Sequence, residues 1–420
     1  MRQLPALLAA LAFAIAPAVA GATTLDEAIA LALKHDSGLR RAGAEQAAAK
    51  ARVTEAEAGR LPSVTLQASV SEAPTVFGHF FGFPDQTLTP RTAGIEVRQL
   101  LFNGGGTDAA VRAARAGEAG AEDAASSVRL ALVADVAATF EGVLVADQAL
   151  RLQQHQADEL GLVVQQAARR FKDGEVPRTD ADQATARLAG AQADLARAEG
   201  DLAVARARYE EMVGEAPEAL APPADLPAPP ADIDSAVAQA EAHNPGLAAA
   251  QAAVAAADQA VREAKAEGAP RVDIVAGGSS VRDEFLPGYH ADAASIGVEG
   301  RWTLFSGGLV AGKVSEAAAR RDAVEASLSQ SRDDVREAAV EAWHGLVTAR
   351  AVASASGAQA TAADSALASV REEVRVGEKP TLDLLDAERE ALADHLSALR
   401  AEAAVVVAAY RLQAVVGDDR

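Results

Sequence analysis

The stretch Val374-Arg375-Val376-Gly377-Glu378-Lys379-Pro380-Thr381-Leu382-Asp383-Leu384-Leu385-Asp386-Ala387 decides how the whole chain is read. Gly377 is the residue type that ends a helix in the left-handed conformation, and Pro380 is the type that opens the next one. Downstream, Leu382, Leu385, Leu392, Leu396, Leu399, Val406 and Tyr410 recur at spacings of three, four and seven, which is a coiled-coil seam. Upstream, no proline interrupts Leu309 to Val376. One helix of about 68 residues is therefore expected there, roughly 100 Å long. A helix on that scale does not belong to a compact domain of ordinary size.

The same arrangement occurs a second time in the chain. Phe171-Lys172-Asp173-Gly174-Glu175-Val176-Pro177-Arg178-Thr179-Asp180 is the matching turn, preceded by a proline-free run from Gly105 to Lys172. At an offset of 203, Leu101-Phe102 falls on Leu304-Phe305, Phe140 on Trp343, Gly174-Glu175 on Gly377-Glu378, and Val213-Gly214 on Val416-Gly417. Nearer the start of each half the offset is 208, carrying His35 onto His243 and Pro62 onto Pro270. A five-residue length change thus lies between Pro62 and Leu101, where a surface loop tolerates it. Repeats of this kind organise a fold, so two repeats are assigned, 24–214 and 232–417. Between them, 215–231 carries six prolines from Pro217 to Pro230 and reads as a linker.

Strands are expected at 62–70, 94–102, 270–281 and 295–305, each pair preceding a helical hairpin (105–214 and 308–416). Val64, Leu66, Ala68 and Val70 alternate with polar residues, as do Ile95 and Val97 with Glu96 and Arg98, and Ile296 and Val298 with Glu299 and Arg301. In a membrane barrel this period of two sends the apolar set to lipid and Glu96, Arg98, Glu299 and Arg301 to a wet lumen. Four strands cannot close, and an open edge in lipid leaves backbone groups unpaired at several kcal/mol each. Closure must then be shared among chains. Three copies supply about twelve strands and leave room for water, whereas two supply about eight, whose interior side chains fill.

Composition narrows the function. Residues 1–20 read as a signal peptide, with Arg2 ahead of an apolar run from Leu4 to Val19 and Ala18 and Ala20 framing a cleavage site. The absence of cysteine excludes disulfides, thiolate metal sites and a lipidated N-terminal thiol. A net charge of -21 argues against nucleic acid, since phosphate binding relies on Lys and Arg. Aromatics are only 4%, so the large Ala, Val and Leu fraction points to closely packed helices. The seven histidines show no metal-ligand spacing, and no phosphate loop, nucleophile elbow or metalloprotease helix occurs. Neither an enzyme nor a cofactor is expected.

Long helix, glycine turn and return helix, twice, each after a pair of strands, resembles the TolC family of outer-membrane efflux proteins. The second turn is similar to the family's T-L-D-x-L-D-A signature at Thr381 to Ala387. The resemblance implies an α/β membrane protein, a homotrimer with a 12-stranded β-barrel continued by a periplasmic coiled-coil barrel. It implies work with a periplasmic adaptor protein and an inner-membrane pump of the RND or ABC type. A type I protein secretion duct has the same architecture, and a soluble periplasmic coiled-coil scaffold is the reading from another class.

The resemblance also assigns roles. Asp383 and Asp386, three apart on one helix face, match the acidic residues that ring the family's periplasmic aperture; alternatively Asp383 only complements the helix dipole. Thr179, Asp180 and Lys379 match a gate network between neighbouring coiled coils. Lys379 in place of the family's arginine gives up a bidentate fork, and Val374 stands where a well-known member has a tyrosine. Thr179 as an N-cap, with Asp182 completing a capping box, is the plainer reading. Gly174, Glu175, Val176 and Pro177, with Gly377, Glu378, Lys379 and Pro380, form the turns on which an adaptor would dock. Phe77, Phe80, Phe81 and Phe83 cluster in the loop between the first two strands.

Overall fold

The computed structural model describes residues 22–76 and 85–417; the signal segment and the Phe77–Phe83 cluster lie outside them. Two short helices, α1 (Leu25–His35) and α2 (Ser37–Ala58), lead into β1 (Ser63–Val70). A small hairpin, β2 (Ala73–Thr75) with β3 (Gln86–Leu88), precedes β4 (Arg91–Phe102). The long helix α3 (Gly106–Lys172) and its return α4 (Arg178–Val213) complete the first half. The second half repeats the plan with α5 (Ile233–His243), α6 (Pro245–Ala266), β5 (Arg271–Arg282), β6 (His290–Arg301), α7 (Leu309–Arg375) and α8 (Thr381–Val416). The small β2–β3 hairpin has no counterpart in that plan.

The helix breaks follow from local chemistry. Asp36 caps α2 by accepting the Leu39 amide at 2.6 Å, and Asn244 caps α6 by accepting the Leu247 amide at 3.1 Å, with Pro245 beginning the helix. At both hairpin turns the glycine is left-handed, with φ of 77° at Gly174 and 84° at Gly377. The Gly174 amide donates to Phe171 and the Glu175 amide to Arg170, and the same pair of bonds joins Gly377 to Val374 and Glu378 to Glu373. Both turns are therefore Schellman motifs, which satisfy the last carbonyls of the long helices. The linker between the repeats forms no helix, but Thr23 bridges in parallel to Leu220, so its middle is pinned by one ladder contact.

The four long strands form one antiparallel sheet in the order β1-β4-β5-β6. The two halves thus join through β4 and β5. β4 runs to Phe102, with an irregularity between Leu100 and Phe102, but β6 stops at Arg301, short of the 305 expected from sequence. The physical reason is its edge position. β4 has a neighbour on each side, whereas β6 pairs only with β5, and that ladder ends where Arg301 meets Arg271 at the start of β5. The Trp302 indole then donates to the Gly268 carbonyl, and Leu304 and Phe305 stay exposed.

The chain divides into two units. Among the described residues, one gathers 22–35, Val136–Leu226 and Ala360–Ala403, which include both hairpin turns; the other gathers those within Asp36–Asp135, Pro227–Gln359 and 404–417, which include the sheet. In the first, Ala157, Leu160, Ala191 and Leu385 form a buried cluster flanked by Val163, Leu188 and Leu195. Phe140 packs against Tyr209 with ring centroids 6.3 Å apart, both fully enclosed. In the second, Leu346, Ala409, Leu412 and Val416 cluster beside Trp343. Alanine is frequent at these contacts because small side chains let helices approach closely.

Candidate functional site

The sheet has two chemically different faces. Directly paired residues share a face, so the registers place Thr65, Glu96, Gly277 and Ser295 on one side and Leu66, Ile95, Gly278 and Ala294 on the other. The second side carries Val64, Leu66, Val70, Ile95, Ile296 and Val298, which are between 49% and 80% exposed. A contiguous apolar surface of that kind needs a nonaqueous neighbour or a partner. Among the described residues no helix is long and apolar enough to cross a membrane. The strands are the elements with the length and patterning to do so.

On the opposite face, charged side chains gather at the end of the sheet that joins the long helices. Arg98 pairs with Glu299 at 3.0 Å and Glu96 at 3.3 Å, and Arg301 reaches Glu299 at 3.1 Å. The structure therefore brings together Glu96, Arg98, Glu299 and Arg301. It adds two residues that sequence reasoning missed, Arg271 and Asp273, which pair at 2.9 Å; Asp273 is buried and also lies 3.9 Å from Arg98. Three arginines and three carboxylates balance across β4, β5 and β6. The i, i+2 spacing of Arg271 and Asp273 is the same signal that marked the other two strands.

In the turn-bearing unit, α4 starts at Arg178 with Pro177 in the capping position and no side-chain cap. Thr179 is therefore inside the first turn rather than an N-cap, because proline already fixes the entry conformation. Its hydroxyl donates to Asp180 at 3.5 Å, while Asp182 pairs with Arg178 at 3.5 Å. Lys379 does not reach Thr179 or Asp180. Its ammonium bonds Glu373 at 2.7 Å, which holds it above the usual lysine range. Arg375 pairs with Glu372, and Arg170 with Glu175 at 3.3 Å, so each turn closes on itself.

Asp383 lies exposed in the first turn of α8. Asp386, on the same face, accepts from Arg187 of α4 at 2.6 Å, a contact that nothing in the sequence reading anticipated. Comparing the repeats marks both positions as divergent, though not as partners. Arg187 falls on Glu390 and Asp386 on Gln183, so the two halves differ in charge at these places. Two residues further along α8, Glu388 is buried and meets Arg371 at 3.5 Å. Burial pushes the Glu388 carboxyl up, and Arg371 only partly offsets this. Between the turns lies a cleft of about 620 Å³, lined among others by Arg170, Val176, Asp180, Val374, Pro380 and Leu384. Gly377 and Pro380 line it, and the glycines and prolines of both turns are exposed.

The fold has counterparts among known proteins. A family model described as outer membrane efflux protein matches residues 28–215 and again 236–418. The outer membrane efflux protein BepC of Brucella suis is 28% identical over 392 residues, covering 93% of this chain and 84% of that protein. Among solved structures, the outer membrane protein VceC of Vibrio cholerae superposes with a TM-score of 0.80 at 21% identity, over 94% of this chain and 96% of that one. The MtrE outer membrane channel of Neisseria gonorrhoeae, in its open state, gives 0.75 at 20% identity over 94% and 88%.

Proposed function

The chain belongs to the outer membrane efflux protein family, and from that membership we propose that three copies form the outer-membrane duct of a tripartite export assembly. The protein is an outer-membrane efflux channel with a large periplasmic helical part. Each copy contributes the β1-β4-β5-β6 sheet, whose free β1 and β6 edges pair with neighbouring copies to close a barrel of twelve strands. The apolar face meets lipid and the ion-paired face lines the lumen. The observation that carries this reading is the exposed apolar face on a sheet with two unpaired edges, which is stable in lipid only once closed.

The long hairpins continue the lumen through the periplasm, and transport along it is passive. Asp383 and Asp386 ring the inner aperture, and the paired turns at Gly174 and Gly377 receive the hairpin tips of a periplasmic adaptor tied to an inner-membrane pump, RND or ABC. The cleft between the turns, lined by Val176 of the first and by Gly377 and Pro380 of the second, supports docking at this place. Extraction from outer membranes should require detergent, and the extracted protein should migrate as a heat-modifiable trimer and insert conducting channels into planar bilayers. A monomer released by salt alone would defeat the proposal in favour of a soluble scaffold.

A further inference from the structure

We infer that Arg187 is the counter-ion that ties the two hairpins together at the aperture, so that Asp386 is a latch in the closed duct and a pore charge in the open one. This rests on the aperture reading above and changes its charge count. Arg187 stands on α4 of the first repeat and Asp386 on α8 of the second, 199 residues apart, with guanidinium and carboxylate at 2.6 Å. A charge-assisted contact of this length is among the stronger polar links a protein makes.

Three further observations bear on it. The residues next to each partner in sequence, Leu188 and Leu385, belong to the same apolar cluster with Ala157, Leu160 and Ala191. The ion pair therefore sits on the rim of a dry contact, where screening is weaker than on an open surface; the Arg187 side chain is only 33% exposed. Three other ion pairs at the turns stay within their own hairpins, Lys379 with Glu373, Arg375 with Glu372 and Arg170 with Glu175. Finally, the repeat places Gln183 where the second half has Asp386, and Glu390 where the first has Arg187. Each hairpin carries one half of the pair and lacks the other half, so the link forms only across hairpins.

The consequence is a charge that depends on state. With Asp386 held by Arg187, Asp383 is the one aperture carboxylate per chain that makes no ion pair among the described residues, its nearest compensation being the field of Lys379, which is itself bonded to Glu373. A trimer then presents three such groups when closed. Separation of α4 from α8 frees Asp386 and doubles that number at the axis, which strengthens the hold on cations as the duct opens.

The test uses the full-length protein in planar bilayers, with single-channel conductance and block by hexaamminecobalt(III) as readouts and the heat-modifiable trimer as the assembly control. Arg187→Ala should raise conductance several-fold and tighten block roughly tenfold, since the latch is lost and Asp386 remains. Asp386→Asn should raise conductance similarly without tightening block. The exchange Arg187→Asp with Asp386→Arg should return conductance to the wild-type value. Should Arg187→Ala fail to assemble, Arg187→Gln keeps most of the bulk and is read against the same expectations. Wild-type conductance and block in the Arg187 variants, or an exchange that stays open, would overturn the inference alone. A wild-type protein that forms no channels would overturn the duct reading beneath it.

Discussion

The two hairpin turns have one backbone and two chemistries. α3 and α7 are each 67 residues long, α4 and α8 each 36, and the turns between them make the same amide bonds around the same left-handed glycine. Yet the residues just past the turn diverge: Leu385 is buried where the first repeat has the exposed Asp182, and Asp386 is ion-paired where it has Gln183. Duplication preserves what the backbone needs, a glycine, a proline and two helix lengths. It leaves the outward positions free to become complementary, one hairpin supplying a cation and the other the anion.

Breaking that comparison should hurt unequally. The largest effect is expected at the apolar contact: Leu385→Ala opens a cavity costing about 2 to 5 kcal/mol, while the equivalent Asp182→Ala stays within roughly 0.5 kcal/mol. Denaturant midpoints of the trimer in detergent should separate the two, and equal midpoints would show that the hairpins are not specialised.

A second inequality concerns Glu141 on α3, whose repeat equivalent is the exposed His344. Glu141 is only 7% exposed and one carboxylate oxygen has no partner, so burial pushes its carboxyl up to about 7. The folded state then keeps a proton that the unfolded chain has lost. Stability should fall as pH rises from the ordinary glutamate range through about 7, and level off above it. Glu141→Gln should remove that slope and stabilise the protein above pH 7 by up to about 3 kcal/mol. Thermal unfolding between pH 5 and 8 provides the check.

The smaller contrasts lie at the glycines that end the return helices, Gly214 and Gly417, which are both left-handed. A β-carbon at Gly214 would meet the His35 ring, which can turn away, but at Gly417 it would meet the His243 carbonyl oxygen at 2.3 Å, which cannot. Gly417→Ala should therefore destabilise more than Gly214→Ala, the latter by about 1 to 2 kcal/mol from backbone strain. Alanine at Gly174 and Gly377 meets nothing within 4 Å, so those two should cost equally and no more than Gly214→Ala. A clear difference between them would mean that one turn is packed in a way the other is not.

Much of the architecture was legible because it is periodic. Proline-free runs, glycine turns and a repeat whose offset changes once, from 208 to 203, are properties of the chain read alone, and so was the alternation that separates Val64 and Leu66 from Glu96 and Arg98. Strand ends were less legible, since β6 stops at Arg301 on account of the length of β5 rather than of anything at 302–305. The site was legible only as a set of residue types. Thr179, Asp180 and Lys379 were expected as a gate network between neighbouring coiled coils, and what the sequence did not indicate is that within one chain the Lys379 ammonium bonds Glu373.

The sequence by itself determined the number of repeats, the length of the helices, the position of each turn and which strand residues share a face, because each depends on neighbours a few residues away. Tertiary structure alone decided the partners. Arg187 meets Asp386, and Arg98 meets Glu299, across separations of 199 and 201 residues. Such pairings depend on how helices and strands are set side by side, and spacing along the chain carries no information about which charge will face which.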